Sequence, residues 1–182
     1  MKIGLSQRIL YHRNRAYDSL DQSWYAYLED HMLTFIPNNL KQDFQKLADS
    51  IDLLIITGGD DSVLRRTVET KLSAEMLKQS KPIIGVCHGS FLLIDLLGGS
   101  VVPVDRHSDT VHNIWYRGSA QEVNSYHNQT ISRIHTSGKI LALDDDGNVE
   151  SWIDGKIAGV TWHPERMIKP WLPEEIEDFL RG

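Results

Sequence analysis

Cysteine is nearly absent: Cys87 is the only one in 182 residues. No intrachain disulfide can form, so the chain does not read as a small secreted scaffold, and a reducing, cytoplasmic setting is expected. Long apolar runs are missing too. The longest, around residues 53–56 and 91–94, are far too short to cross a bilayer, and the opening MKIGLSQRIL has no apolar stretch of signal-peptide length. No membrane association is expected. Positive charge is also scarce, with 19 Lys and Arg against 25 Asp and Glu for a net charge of −6, and Arg65-Arg66 is the only adjacent pair of arginines. Nucleic-acid binders cluster their basic residues, so that class of partner is set aside. Repeats, low-complexity tracts and linker-like segments do not occur. Residues 1–182 are therefore expected to form a single domain, long enough to bury about 70% of its unfolded surface without staples.

What is present alternates strand-like and helical patterns, the order of a parallel sheet covered on both faces. Strands are expected at residues 2–6, 33–36, 52–57 and 82–86. Helices are expected at 18–32, where Leu20, Trp24, Tyr27, Leu28 and Met32 recur near the helical period, and at 62–79 and 90–97. The second half changes to short strands at 101–102, 111–116, 122–123, 140–143, 149–153 and 157–162, with hairpin signals at Asp146-Gly147 and Asp154-Gly155. A helix at 173–180 closes the chain. This pattern predicts a flavodoxin-like three-layer α/β sandwich, its mostly parallel sheet extended by antiparallel strands in the second half.

Cys87 stands where a strand runs into a helix, with Gly85 and Gly89 two residues to either side. A nucleophile on a sharp strand-to-helix turn needs small neighbours, because the backbone there packs closely. The helix N-terminus is expected to lower the thiol pKa and to offer N–H groups to an oxyanion. A cysteine nucleophile needs a histidine base and a group that orients it. His163, in Gly159-Val160-Thr161-Trp162-His163-Pro164-Glu165, ends a strand, and Glu165 is placed to fix its tautomer.

Four segments carry a resemblance. Thr57-Gly58-Gly59-Asp60-Asp61, Gly85-Val86-Cys87-His88-Gly89, Val123-Asn124-Ser125-Tyr126-His127-Asn128-Gln129 and the His163 segment occur in an order that resembles the class I glutamine amidotransferase superfamily. Within it, the likeness is to the γ-glutamyl hydrolase branch of cysteine ω-peptidases. The resemblance implies Cys87 as nucleophile, His163 as general base and then acid, and Glu165 as the orienting carboxylate. It implies an oxyanion hole from the backbone N–H groups of Gly59 and His88, with Gly58, Asn124, Ser125 and Tyr126 along the substrate's α-amino and α-carboxylate groups. The family needs no cofactor and no metal for hydrolysis.

Two positions depart from the family pattern. Phe91 stands four residues after the nucleophile, where amidotransferases usually carry a Gln that grips substrate glutamine, and Thr161 replaces a Gln of the last motif. Phe91 points away from free glutamine and toward a γ-glutamyl compound held differently, or else simply packs the helix. His107 and His112, with Asp105 and Asp109 nearby, have no spacing that by itself makes a metal site, and none is expected. Arg106, His107 and His112 are candidates for the leaving-group rim. Arg8 and Arg13, in the basic segment at 7–15, are candidates for a rim that attracts an anionic substrate.

The expected activity is hydrolysis of a γ-glutamyl amide through a cysteine thioester, releasing glutamate and an amine or amidate. Small bacterial members of the branch act on γ-glutamyl-polyamine intermediates and on γ-glutamyl-CDP-amidate, and a small-molecule γ-glutamyl substrate of one of these kinds is implied. The alternative is a glutaminase subunit that passes ammonia to a separate synthetase partner; a catalytically inactive binding module is a third reading. Trp115 and Trp171 suit either an interface or the core.

Overall fold

The computed structural model describes residues 1–182 throughout. In chain order the elements are β1 (Lys2–Ser6), β2 (Arg8–His12), β3 (Arg15–Ser19), α1 (Ser23–Tyr27), β4 (Met32–Ile36), α2 (Phe44–Ser50), β5 (Leu53–Ile56), α3 (Val63–Lys78), β6 (Ile83–Val86) and α4 (His88–Leu96). Then follow β7 (Ser100–Pro103), β8 (Thr110–Tyr116), β9 (Ser119–Ser125), β10 (Gln129–Arg133), β11 (Lys139–Asp144), β12 (Val149–Asp154), β13 (Ile157–Val160), a 3₁₀ turn (Pro164–Arg166) and α5 (Glu174–Arg181).

One mixed sheet runs β4-β1-β5-β6-β13-β12-β11-β8-β9, with β10 bridging β12 to β7. The pairs from β4 to β13 are parallel, and from β13 onward the neighbours are antiparallel. The expected α/β sandwich is therefore found, with its parallel core and antiparallel second half. Successive strand residues face opposite layers. Leu53 and Ile55 pack with Trp24 of α1 and Ile176 of α5, whereas Leu54 and Ile56 pack with Ala48 of α2, Val68 and Leu72 of α3, and Leu93 of α4. Both faces of the parallel strands are buried, which is why those strands read as unbroken apolar runs. No helix is long and apolar enough to cross a membrane.

Three local features differ from the expected pattern of elements. The helix expected over 18–32 shrinks to α1, because Asp18 accepts hydrogen bonds from the backbone N–H and Nδ2 of Asn38 at 3.0 and 2.7 Å instead of capping a turn. Trp24 and Leu28, four apart, still face the core. The basic segment 7–15, for which no strand was expected beyond residue 6, is a hairpin arm: β2 pairs with β3 across Arg13 and Asn14, both at positive φ. That backbone suits a two-residue primed turn. The polar stretch after Tyr126 enters β10 at Gln129, and α2, capped by Asp43 accepting from the Lys46 N–H, had no apolar period long enough to announce it. Trp115 is half-exposed, whereas Trp171 stacks on buried Trp162.

Candidate active site

The parallel strands end at a common edge, and the loops leaving β5, β6 and β13 meet there over a cavity of about 590 Å³. Gly59, Cys87, His88, Phe91, Tyr126 and His163 line it, with Arg8, Arg66 and Arg166 among its charged walls.

Cys87 sits at the junction of β6 and α4 with φ 50° and ψ −106°, a conformation an L-residue adopts only under constraint. Its backbone N–H donates to the Val160 carbonyl at 2.9 Å. The flanking glycines are required by space. A Cβ on Gly85 would lie 2.5 Å from the backbone of Gly89, and one on Gly89 would lie 2.1 Å from the Ile56 carbonyl oxygen. The strained turn thus aims the thiol at the cavity. The expected drop in thiol pKa is not found: burial pushes Cys87 up to about 11 and nearby Glu165 adds to the rise, outweighing the His88 N–H, Arg166 and Arg65. The free protein holds a neutral thiol, so any nucleophilic role requires a base in place.

His163 is held by four neighbours. Its Nδ1 meets the Glu165 carboxylate at 2.7 Å, which makes Nδ1 the protonated nitrogen and leaves the Nε2 lone pair free. Asn124 clamps its backbone, with Nδ2 donating to the His163 carbonyl at 2.9 Å and Oδ1 accepting the His163 N–H at 2.8 Å. Tyr126 meets the ring edge to face, with 5.5 Å between centroids. Gly58 lies against the same ring so closely that a Cβ there would fall 2.2 Å from Cε1. Glu165 is buried, and Arg166 stands 3.7 Å from it while also bonding Asp21 at 3.1 Å and covering the Tyr126 ring.

Several expected site residues have different surroundings from those foreseen. Asn124 holds the His163 backbone and does not line the cavity, and Gly58 supports the imidazole from beneath. Ser125 is wholly buried, its hydroxyl donating to the His107 carbonyl, because alternation along β9 turns it inward. Tyr126 does face the cavity. Of the two rims, only Arg8 reaches it; Arg13 is exposed at the hairpin tip, and Arg106 is exposed on the connection between β7 and β8. His107 is buried against Asp144 at 2.8 Å, and His112 beside Glu150 at 3.5 Å, so neither forms a rim. Phe91 both lines the cavity and packs edge to face on His127. Thr161 donates its hydroxyl to the Glu150 carboxylate.

Sequence reasoning missed Arg65 and Glu69. Arg65 is fully buried, its Nε 2.8 Å from Glu69, and its guanidinium reaches the carbonyls of Thr57, Gly58 and Asp60. In a trans peptide the N–H points opposite to the carbonyl. Turning the Gly58 carbonyl toward Arg65 therefore turns the Gly59 N–H away from it, and Gly59 lines the cavity. Glu69 also accepts from His88 Nε2 at 2.9 Å, tying the Gly59 loop to the start of α4. Burial works to raise the Glu69 pKa, but His88 and Arg65 together hold it below the usual carboxylate value. The visible signal was a charged pair four residues apart on the stripe that carries Val68, Leu72 and Met76.

The family described as glutamine amidotransferase class-I matches residues 15–182. Protein NtpR of Enterococcus hirae is 32% identical over 162 residues, covering 64% of this chain and 68% of its own. The γ-glutamyl-CDP-amidate hydrolase of Campylobacter jejuni is 25% identical over 184 residues, covering 91% of this chain and 90% of its own. A glutamine-hydrolyzing GMP synthase of Clostridium tetani is 29% identical over 138 residues, but the match takes in only 27% of that longer protein. Among solved structures, a putative GMP synthase subunit from Thermoplasma acidophilum superposes with a TM-score of 0.74 over 100% of this chain and 90% of its own, at 16% identity, a likeness of fold. With the family match running through both halves of the sheet and every loop around the cavity except the β2 arm, the chain belongs to the class-I glutamine amidotransferase family.

Proposed function

We propose that the protein hydrolyses a γ-glutamyl amide through a thioester on Cys87. The observation that carries this reading is the shared cavity of a strained cysteine and a histidine whose Nδ1 is locked by a buried carboxylate. As substrate binds, His163 Nε2 takes the Cys87 proton while Sγ attacks the γ-carbonyl carbon. Negative charge develops on the carbonyl oxygen and is met by the N–H groups of Gly59 and His88, whose positions Arg65 and Glu69 secure. His163 then gives its proton to the leaving nitrogen, the C–N bond breaks, and the glutamyl thioester remains. Water, deprotonated by His163, attacks the thioester, and glutamate leaves as the Cys87 thiol re-forms. Glu165 stabilises the imidazolium in both halves.

The rest of the wall supports one substrate class over another. Phe91 offers no hydrogen bond where a glutamine side chain would be gripped, and Arg8 lines the cavity with no acidic side chain paired to it and its buried Nε without a partner. Arg66 and Arg166 are already paired with acidic side chains. Arg8 is thus the cation available to an anionic leaving group, which supports a γ-glutamyl nucleotide conjugate such as γ-glutamyl-CDP-amidate. The relative from Campylobacter jejuni bears that substrate in its name. A second reading, a glutaminase subunit serving a separate synthetase, draws on the GMP synthase relatives and predicts turnover of glutamine only with a partner.

Glutamate release across a panel of glutamine, γ-glutamyl amines and γ-glutamyl nucleotide conjugates separates the two. Unaided turnover of a conjugate, with glutamine poor, is the expected result. Efficient hydrolysis of glutamine alone and of nothing else would remove the conjugate reading.

A further inference from the structure

Behind the Tyr126 and His127 wall, three imidazoles and a carboxylate converge inside the antiparallel half of the sheet. They come from four separate stretches: His107 from the connection between β7 and β8, His112 from β8, His127 from the turn between β9 and β10, and Glu150 from β12. The Glu150 side chain is fully buried, and those of His127, His107 and His112 are 2%, 7% and 19% exposed. His107 Nε2 lies 3.9 Å from one carboxylate oxygen of Glu150; His112 Nε2 and His127 Nε2 lie 3.5 and 3.7 Å from the other. Nε2 of His112, Nε2 of His127 and Oε1 of Glu150 are all buried without a hydrogen-bond partner. Each such orphan ordinarily costs about 1–3 kcal/mol, and the ligand atoms of His107, His112 and Glu150 all lie within 4.8 Å of one another.

The outer sides of two rings are already fixed. His107 Nδ1 donates to the Asp105 carbonyl at 2.9 Å, and His127 Nδ1 donates to the Gln129 carbonyl at 2.8 Å. A backbone carbonyl behind Nδ1 is the usual support of a histidine that ligates through Nε2. Charge points the same way. His107 Nε2 meets the Asp144 carboxylate at 2.8 Å, so a metal would displace the proton shared there, and a dication would offset the two buried carboxylates, Asp144 and Glu150. Asp144 does not depend on His107 for satisfaction, since it also accepts from the Asp146 N–H, the Asn148 N–H and Asn148 Nδ2.

We propose that His107, His112, His127 and Glu150 form a four-ligand site for a divalent transition metal of the zinc type. Zinc bonds of about 2.0–2.2 Å in a tetrahedron set ligand atoms about 3.3 Å apart; the ligand atoms of His107, His112 and Glu150 already lie within 4.8 Å of one another and would close on the ion, while His127, 3.7 Å from Glu150, would turn inward as the fourth ligand. Imidazole donors suit zinc, whereas magnesium and calcium take oxygen ligands. Four protein ligands close the coordination shell, which makes this a structural site. The metal would pin the wall of the cavity: His127 adjoins Tyr126, which faces His163, and Glu150 holds Thr161, two residues before His163. None of the four ligands belongs to the proposed triad, so this inference stands or falls apart from the functional reading.

The test uses the untagged full chain, stripped with chelator and reloaded separately with Zn(II) and Co(II). Retained metal is counted by mass spectrometry after gel filtration, the cobalt form is examined by visible absorption, and thermal unfolding is followed. The expected results are one metal per chain, four-coordinate cobalt bands without thiolate charge transfer, and a raised Tm. His112→Gln, the least buried ligand and so the mildest change, should weaken Zn(II) affinity at least about tenfold. Cys87→Ser should keep the metal, since Cys87 and His163 could otherwise trap zinc by themselves. No retained metal in the native chain overturns the proposal even if the variants misfold, as does metal kept by His112→Gln but lost from Cys87→Ser.

Discussion

Gly58→Ala is the sharpest perturbation of the His163 environment. Gly58 does not use a positive φ, so alanine brings no backbone strain, and the whole effect falls on the imidazole. The new methyl would lie 2.2 Å from Cε1, 2.9 Å from Nε2 and 3.2 Å from Nδ1. Ordinary contact begins near 3.4 Å, so the ring must retreat by about 1 Å, yet Glu165, the Asn124 clamp and Tyr126 leave it little room. Misplacing a catalytic group by about 1 Å typically costs about 100-fold in rate. Overpacking of this kind costs about 1–3 kcal/mol of stability, a fall in Tm of roughly 2–12 °C for a chain of this size. The assay is steady-state glutamate release with the best substrate of the panel, together with the rate at which a chloroketone glutamine analogue labels Cys87. Both rates should drop by about 100-fold while the protein stays folded at assay temperature. A variant within a few-fold of the native rates would show that the His163 position is not what sets the chemistry.

Other outcomes follow from the same geometry. Because Cys87 keeps its proton in the folded state up to about pH 11, against an ordinary value of 9.0, rising pH favours the unfolded chain across that window. The native protein should lose up to about 3 kcal/mol between about pH 9 and 11 that Cys87→Ala does not, read from urea unfolding; parallel curves would refute the buried neutral thiol. Phe91→Gln should improve kcat/KM for free glutamine by about 2- to 10-fold through one regained hydrogen bond, and no gain would free Phe91 from any role in selectivity. Arg8→Ala should raise KM for a phosphate-bearing conjugate by about 10- to 100-fold, whereas Arg13→Ala should leave it unchanged. Equal effects would mean that the arm acts only through its general charge.

The parallel core was legible because its strands are buried on both faces and its turns carry glycine pairs. The segments around Cys87 and His163 were legible because close packing and a locked tautomer each demand particular neighbours in sequence. Other features have no such local demand. The hairpin of β2 and β3 leaves Leu10, Tyr11 and Tyr17 exposed, so no alternation of buried residues marks it. Asn124 and Ser125 are adjacent yet face different partners, and their roles depend on the register of β9 against β8, which only pairing sets. His107, His112, His127 and Glu150 come together through four separate stretches, a meeting that spacing along the chain does not encode. Arg65 and Glu69 were hidden differently, since charges on a buried stripe read as a break in the pattern unless their partners are known.

The central claim is that Cys87 carries the glutamyl group. Rapid acid quench during turnover, followed by peptide mass mapping, tests it most directly. A glutamyl adduct on the peptide bearing Cys87, absent from Cys87→Ser along with glutamate release, is the predicted result. Undiminished glutamate release by Cys87→Ser, or an adduct on another residue, would contradict the account.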